Sequence, residues 1–143
     1  ASGVLAQYGL EHALIDLRET ISGSGRVKMK VITTGLNKGM SRDVQLHIYR
    51  MIQELVSNAL KHSGANEIIV QVTRHDSELT VTVEDNGSGF KEKSQSEGLG
   101  LTNLERRVDL LNGTYHIDTG KDIGTIVSID IPIEEYDKTY TGG

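Results

Sequence analysis

The 143-residue chain has no cysteine, no tryptophan, one proline and one phenylalanine. Without cysteine it can form no disulfide, no thiolate metal site and no cysteine nucleophile, which agrees with a reducing compartment. No apolar stretch approaches the roughly 20 residues of a membrane span. The opening ASGVLAQYGLEH has neither the basic nor the apolar region of a signal peptide. There is no basic run, and a formal charge of -5 disfavours a phosphate-backbone partner, so nucleic acid is not expected. No G-x-x-x-x-G-K-[ST] segment occurs, which excludes a P-loop, and Gly98-Leu-Gly100-Leu is too short for a dinucleotide fingerprint.

What is present fits one soluble domain: 36% hydrophobic and 24% charged residues over a length suited to a single core. The domain is expected over 1–133, with 134–143 a flexible tail. Apolar residues at near-helical spacing from Val4 to Ile21 predict a first helix, stopped by Gly23-Ser-Gly25. Val27 to Thr33 alternate as a strand. A long second helix is predicted from Arg42 to His62, ended by Ser63-Gly64, with Val44, Ile48, Met51, Ile52, Leu55, Ala59 and Leu60 on one arc. Glu54, Asn58 and Lys61 share a stripe along one edge of that arc, placed to face a common pocket.

Strands are predicted over Glu67–Arg74 and Leu79–Asp85, so that Leu79, Val81, Val83 and Asp85 point to one side. A third helix follows a Gly/Ser/Lys/Glu-rich loop at 86–98, runs through Leu101, Leu104, Val108 and Leu111, and is closed by Gly113. The last strands are Tyr115–Thr119 and Gly124–Pro132, the second of which turns the Thr125 hydroxyl inward.

Three polar clusters carry the chemistry. A carboxylate ending an apolar row, Asp85, needs a hydrogen-bonding partner to offset desolvation, and an adenine exocyclic amine would supply one. Taken alone, Asp-Asn-Gly also reads as a turn whose carboxylate bonds its own backbone. Asn58 offers a neutral amide oxygen, and Mg²⁺ is satisfied by few protein oxygens when phosphates and waters complete its octahedron. Glu54, one turn away, is placed to polarise a transferred group, and Lys61 to neutralise phosphate charge; a solvated Glu/Lys helix face is the plainer alternative. His62 in the last helical turn also suits the C-terminal dipole. Gly87 and Gly89 permit close backbone approach, and Gly98 with Gly100 leaves amides exposed at a helix start where phosphate binds. The segment 90–97 reads as a lid or as a plain surface loop.

In order and spacing these clusters resemble the ATP-binding domain of sensor histidine kinases, in the superfamily shared with gyrase B, MutL and a heat-shock chaperone. Glu54-x-x-x-Asn58-x-x-Lys61-His62 is similar to the N box, Asp85-x-Gly87-x-Gly89 to the first glycine box, Gly98-Leu99-Gly100-Leu101 to the second, and Gly124-Thr125 to the terminal motif. The resemblance covers roughly Arg42 to Pro132. It implies an α+β fold, a two-layer sandwich of a mixed, mainly antiparallel sheet against three helices. It further implies ATP and Mg²⁺ as ligands, with Glu54 and Lys61 catalytic, Asn58 on the metal, Asp85 on the adenine amine, Thr125 on adenine through water, and the glycines, His62, Leu99 and Leu101 around the nucleotide. The short lid and GLGLTNLERRVDLLNG resemble the subclass of nitrate and lipid-fluidity sensors.

The implied partners are a histidine-bearing dimerisation domain and a response regulator, in the cytoplasmic part of a membrane-anchored sensor. None of His12, His47, His75 and His116 combines a following acidic residue with the flanking helix pattern of a phosphoacceptor. The acceptor is therefore expected on a separate segment, and the isolated domain is expected to be monomeric. Two alternatives share the fold: an anti-sigma-type serine kinase, and a module that senses ATP without transfer.

Overall fold

The long apolar periodicity beginning at Arg42 forms a single 21-residue helix, α3, Arg42–His62. It starts there because the Ser41 side chain accepts a hydrogen bond from Val44 N at 3.1 Å, satisfying an amide that the first turn leaves unpaired. It stops where Gly64 takes φ +66, a left-handed conformation that glycine adopts without penalty. The computed structural model describes residues 2–88, 101–120 and 123–134. Before α3 come α1 (Ser2–Tyr8), α2 (Leu10–Ser22) and β1 (Lys28–Thr34). After it come β2 (Glu67–Arg74), β3 (Glu78–Asp85), α4 (Leu101–Leu110), β4 (Thr114–Gly120) and β5 (Gly124–Pro132). Of the expected tail, 135–143 lies outside the described residues.

The five strands make one sheet in the order β1-β2-β3-β5-β4, with β1 parallel to β2 and every other pair antiparallel. The period of two sends Ile68, Val70 and Val72 of β2, Leu79, Val81 and Val83 of β3, and Val127, Ile129 and Ile131 of β5 to one buried face. Helix α3 lies on that face and is buried along Ile48, Tyr49, Met51, Ile52, Leu55, Val56 and Ala59, which adds Tyr49 and Val56 to the expected arc and leaves Val44 and Leu60 half-buried at its margins. Ala13 and Leu14 of α2 and Leu104 and Val108 of α4 complete the core. Glu67, Gln71, Glu78 and Glu84 alternate onto the opposite face, which is exposed at those positions. The result is the expected two-layer α+β sandwich.

Two element ends differ from the sequence-based expectation. The first helix is divided at Gly9, whose φ of +94 cannot continue an α-helix. Leu10 N, released by the break, donates instead to Gln45 Oε1 at 2.9 Å. Gln45 is itself buried, accepts from Arg42 Nη1 and donates through Nε2 to Met40 O at 2.8 Å, so no polar atom is stranded. Helix α4 does not end on a left-handed Gly113. The left-handed residue is Asn112, at φ +57, and Gly113 is required because a Cβ there would sit 2.6 Å from Asp130 O.

Candidate functional site

The site lies where the C-terminal half of α3 meets the ends of β3 and β5. β3 delivers Asp85 as the last member of its buried row, as expected, and Asp85 is paired in register with Thr125 of β5. Asp85 Oδ1 accepts from Gly87 N at 2.7 Å, so the turn interaction foreseen as the plainer alternative is also present. Burial is the chief influence on the carboxyl and raises it above the ordinary aspartate range; the bond from Gly87 and the nearby Ser63 hydroxyl lower it, and the Glu84 charge raises it further. The Thr125 hydroxyl is buried and shares a 2.9 Å hydrogen bond with the Thr119 hydroxyl.

The loop that follows Asp85 is fixed from behind. Asn86 Oδ1 accepts from the amides of Asn66 and Glu67, both at 3.0 Å, and its Nδ2 donates to Asn66 Oδ1. Ser88 N donates to Ser63 O at 2.9 Å, while the Ser63 hydroxyl donates to Ala59 O at 2.7 Å. Gly87 backs directly onto Ser63, whose Oγ a Cβ at this position would overlap. The close approach that Gly87 permits within the chain is to the end of α3.

Leu55, Asn58, Ala59 and Ser63 of this α3 segment, with Val83, Asp85, Leu101, Thr125 and Val127, enclose a cavity of about 20 Å³. That is room for about one water. A second, open groove of about 420 Å³ runs between α2 and α3, lined by Leu17, Ile21, Gln53, Glu54, Val56, Ser57, Asn58, Leu60 and Lys61. The predicted stripe thus shares one depression, and Asn58 borders both depressions at once. Glu54 Oε1 lies 3.8 Å from Arg107 Nε of α4, and Glu54 Oε2 is buried with no hydrogen-bond partner among the described residues.

Asn58, Asp85, Leu101 and Thr125 are brought together as expected, with Glu54 and Lys61 on the adjoining groove. Gly89, Gly98, Leu99, Gly100 and the loop 90–97 lie outside the described residues, as does the side chain of His62. Sequence reasoning passed over Arg107, Ser63 and Asn86. Arg107 had a signal: three residues beyond the inward Leu104, it borders the buried stripe of α4.

Gly124 closes the β4–β5 turn against the site with φ +75, and a Cβ there would overlap Asp85 O. We expect Gly124→Ala to cost about 2–3 kcal/mol, left-handed strain plus the collision. Gly25 has a similar φ of +77 but open space around it, so Gly25→Ala should cost about 1 kcal/mol. Urea unfolding midpoints of the two variants check the difference, and equal losses would refute the collision.

Residues 43–135 match the model of the family described as histidine kinase-, DNA gyrase B- and HSP90-like ATPase. The chain is 34% identical over 119 residues to the signal transduction histidine-protein kinase/phosphatase DegS of Bacillus subtilis, covering 80% of this chain and 31% of that protein. It is 28% identical over 130 residues to the sensor protein VraS of Staphylococcus aureus, covering 90% and 36%. The chain thus spans about a third of the length of these relatives. Among solved structures, the histidine kinase domain of the Erythrobacter litoralis EL346 blue-light activated histidine kinase superposes with a TM-score of 0.70 at 29% identity, over 92% of this chain and 62% of that one. The chain belongs to the family of histidine kinase-, DNA gyrase B- and HSP90-like ATPases, as an ATP-binding domain of the histidine-kinase type.

Proposed function

We propose that this domain binds Mg-ATP and donates the γ-phosphoryl group to a histidine on a dimerisation domain, passing the signal on to a response regulator. The observation that supports the reading best is the buried Asp85 carboxylate in a cavity bordered by Thr125 on one side and Asn58 on the other. In this reading Asp85 accepts the adenine amine, Thr125 supports the ring through water, and the base displaces the Leu101 side of the cavity, which as described is too small for it. Asn58 and the phosphates hold the ion; among the described residues no three His, Cys, Asp or Glu side chains gather that could hold a cation alone. Bound Mg²⁺ would neutralise phosphate charge. Lys61, exposed at the mouth of the groove, adds positive charge there.

Transfer breaks the bond from the γ-phosphorus to the bridging oxygen, releases ADP, and forms a bond from an imidazole nitrogen to phosphorus. Glu54 accepts the proton lost from the imidazole, and no hydrogen-bond partner among the described residues competes for its Oε2. The relatives DegS and VraS favour a kinase over a serine-directed or purely sensing module, and over 80–90% of this chain they are compatible with the nitrate- and lipid-fluidity-type subclass. We place the domain on the cytoplasmic side of a sensor; no helix among the described residues is long and apolar enough to cross a membrane.

Two measurements test this. Incubated alone with γ-labelled ATP, the chain should bind nucleotide but gain no stable label, and should pass label to an added histidine-bearing dimerisation domain; label retained on the chain itself would refute the acceptor assignment. Asn58→Ala should abolish the difference between ATP affinity with and without Mg²⁺, roughly a tenfold effect for one lost ligand in a site completed by water. An undiminished Mg²⁺ effect would remove Asn58 from the metal.

A further inference from the structure

Glu54 and Arg107 face one another across the contact of α3 with α4, 3.8 Å apart, with Arg107 Nε and Glu54 Oε2 both buried and lacking hydrogen-bond partners among the described residues. An ion pair that serves stability closes to about 2.7–2.9 Å, because only good geometry offsets the desolvation of two charges. This pair is held about an ångström too long for that, and leaves one carboxylate oxygen buried beside the groove lined by Glu54, Asn58 and Lys61, without a partner among the described residues. Arg107 also sits on the helix whose first residue, Leu101, forms a wall of the Asp85 cavity. One rigid helix therefore touches the base pocket at its start and the reactive carboxylate near its end.

We propose that Arg107 is a positioning residue: from α4 it aims the Glu54 carboxylate on α3. The inference rests on the reading that Glu54 takes part in transfer. A cation in the last turn of α4 also interacts favourably with the helix dipole, and a role confined to that would lower stability without touching the chemical step.

The test is a double-mutant cycle on the whole protein that carries this domain, read as kcat for histidine labelling and as the Kd for Mg-ATP. Arg107→Gln should lower kcat about 10- to 100-fold, the scale of a misplaced catalytic group, with Kd unchanged, and Arg107→Lys should recover part of the loss. Combined with Glu54→Gln, neither substitution should lower kcat further. An unchanged kcat for Arg107→Gln, or a loss that multiplies in full with that of Glu54→Gln, overturns the proposal while leaving Glu54 in place. If Glu54→Gln alone leaves kcat intact, the reading of Glu54 fails and the proposal with it. Should the glutamine variant be too unstable to assay, the lysine variant completes the same cycle.

Discussion

Glu54→Gln is expected to lower the rate of phosphoryl transfer by about 10²–10⁴-fold, the contribution of a positioned proton acceptor, and to leave the affinity for Mg-ATP nearly as it was. The split follows from where Glu54 lies. It lines the groove between α2 and α3, while the cavity that contains Asp85 and Thr125 is lined from α3 by Leu55, Asn58, Ala59 and Ser63. Glutamine keeps the length and one acceptor oxygen but cannot take a proton. Quenched-flow labelling of the acceptor, set beside equilibrium nucleotide titration, measures both quantities. A large loss of affinity with an unaltered transfer rate would move Glu54 out of the chemistry and into binding.

Asp85→Asn is expected to have two opposed effects. ATP and ADP should both bind more weakly by about 1–3 kcal/mol, as a charge-assisted hydrogen bond is replaced by a mismatched one. The unliganded domain, by contrast, should become more stable at neutral pH by about 1 kcal/mol, since a buried charge is removed while the amide oxygen still accepts from Gly87 N. The sign follows from the upward shift of the carboxyl. Below pH about 4 the carboxyl is protonated in folded and unfolded chains alike. As pH rises through the raised folded value, the native state must ionise a buried group and loses stability. The advantage of the asparagine variant therefore grows from acid toward neutral pH and then levels off. Thermal unfolding across pH, paired with calorimetric titration of both nucleotides, tests it; a stability difference that shrinks toward neutrality would contradict the burial of Asp85.

What could be read from the sequence was whatever local chemistry decides. α3 has the expected limits because Ser41 caps one end and Gly64 ends the other, and Asp85 lies at the end of the buried row because a strand repeats every two residues. The division at Gly9 could not be seen locally. A glycine within a helical pattern is usually tolerated, and what makes the break affordable is Gln45, 35 residues further along. Ser63, Asn86 and Arg107 were missed for the same reason, as their roles arise from contacts between elements remote in sequence. Arg74 is a parallel case at the opposite end of β2. It is buried, against the habit of arginine, and donates to the carbonyls of Gly39 and His75.

The sheet is open, and its outermost strands, β1 and β4, leave a row of backbone donors and acceptors along each margin. Such margins invite strand-by-strand growth into fibrils or swapped dimers. On β1 the exposed alternate positions include Lys28 and Lys30, and on β4 they include His116 and Asp118. A neighbouring copy docking in register along β1 would bring lysines together where the hydrogen bonds would have to form. The same polar alternation that keeps one face of the sheet wet thus also sets lysines along the β1 margin, which opposes its extension by another strand.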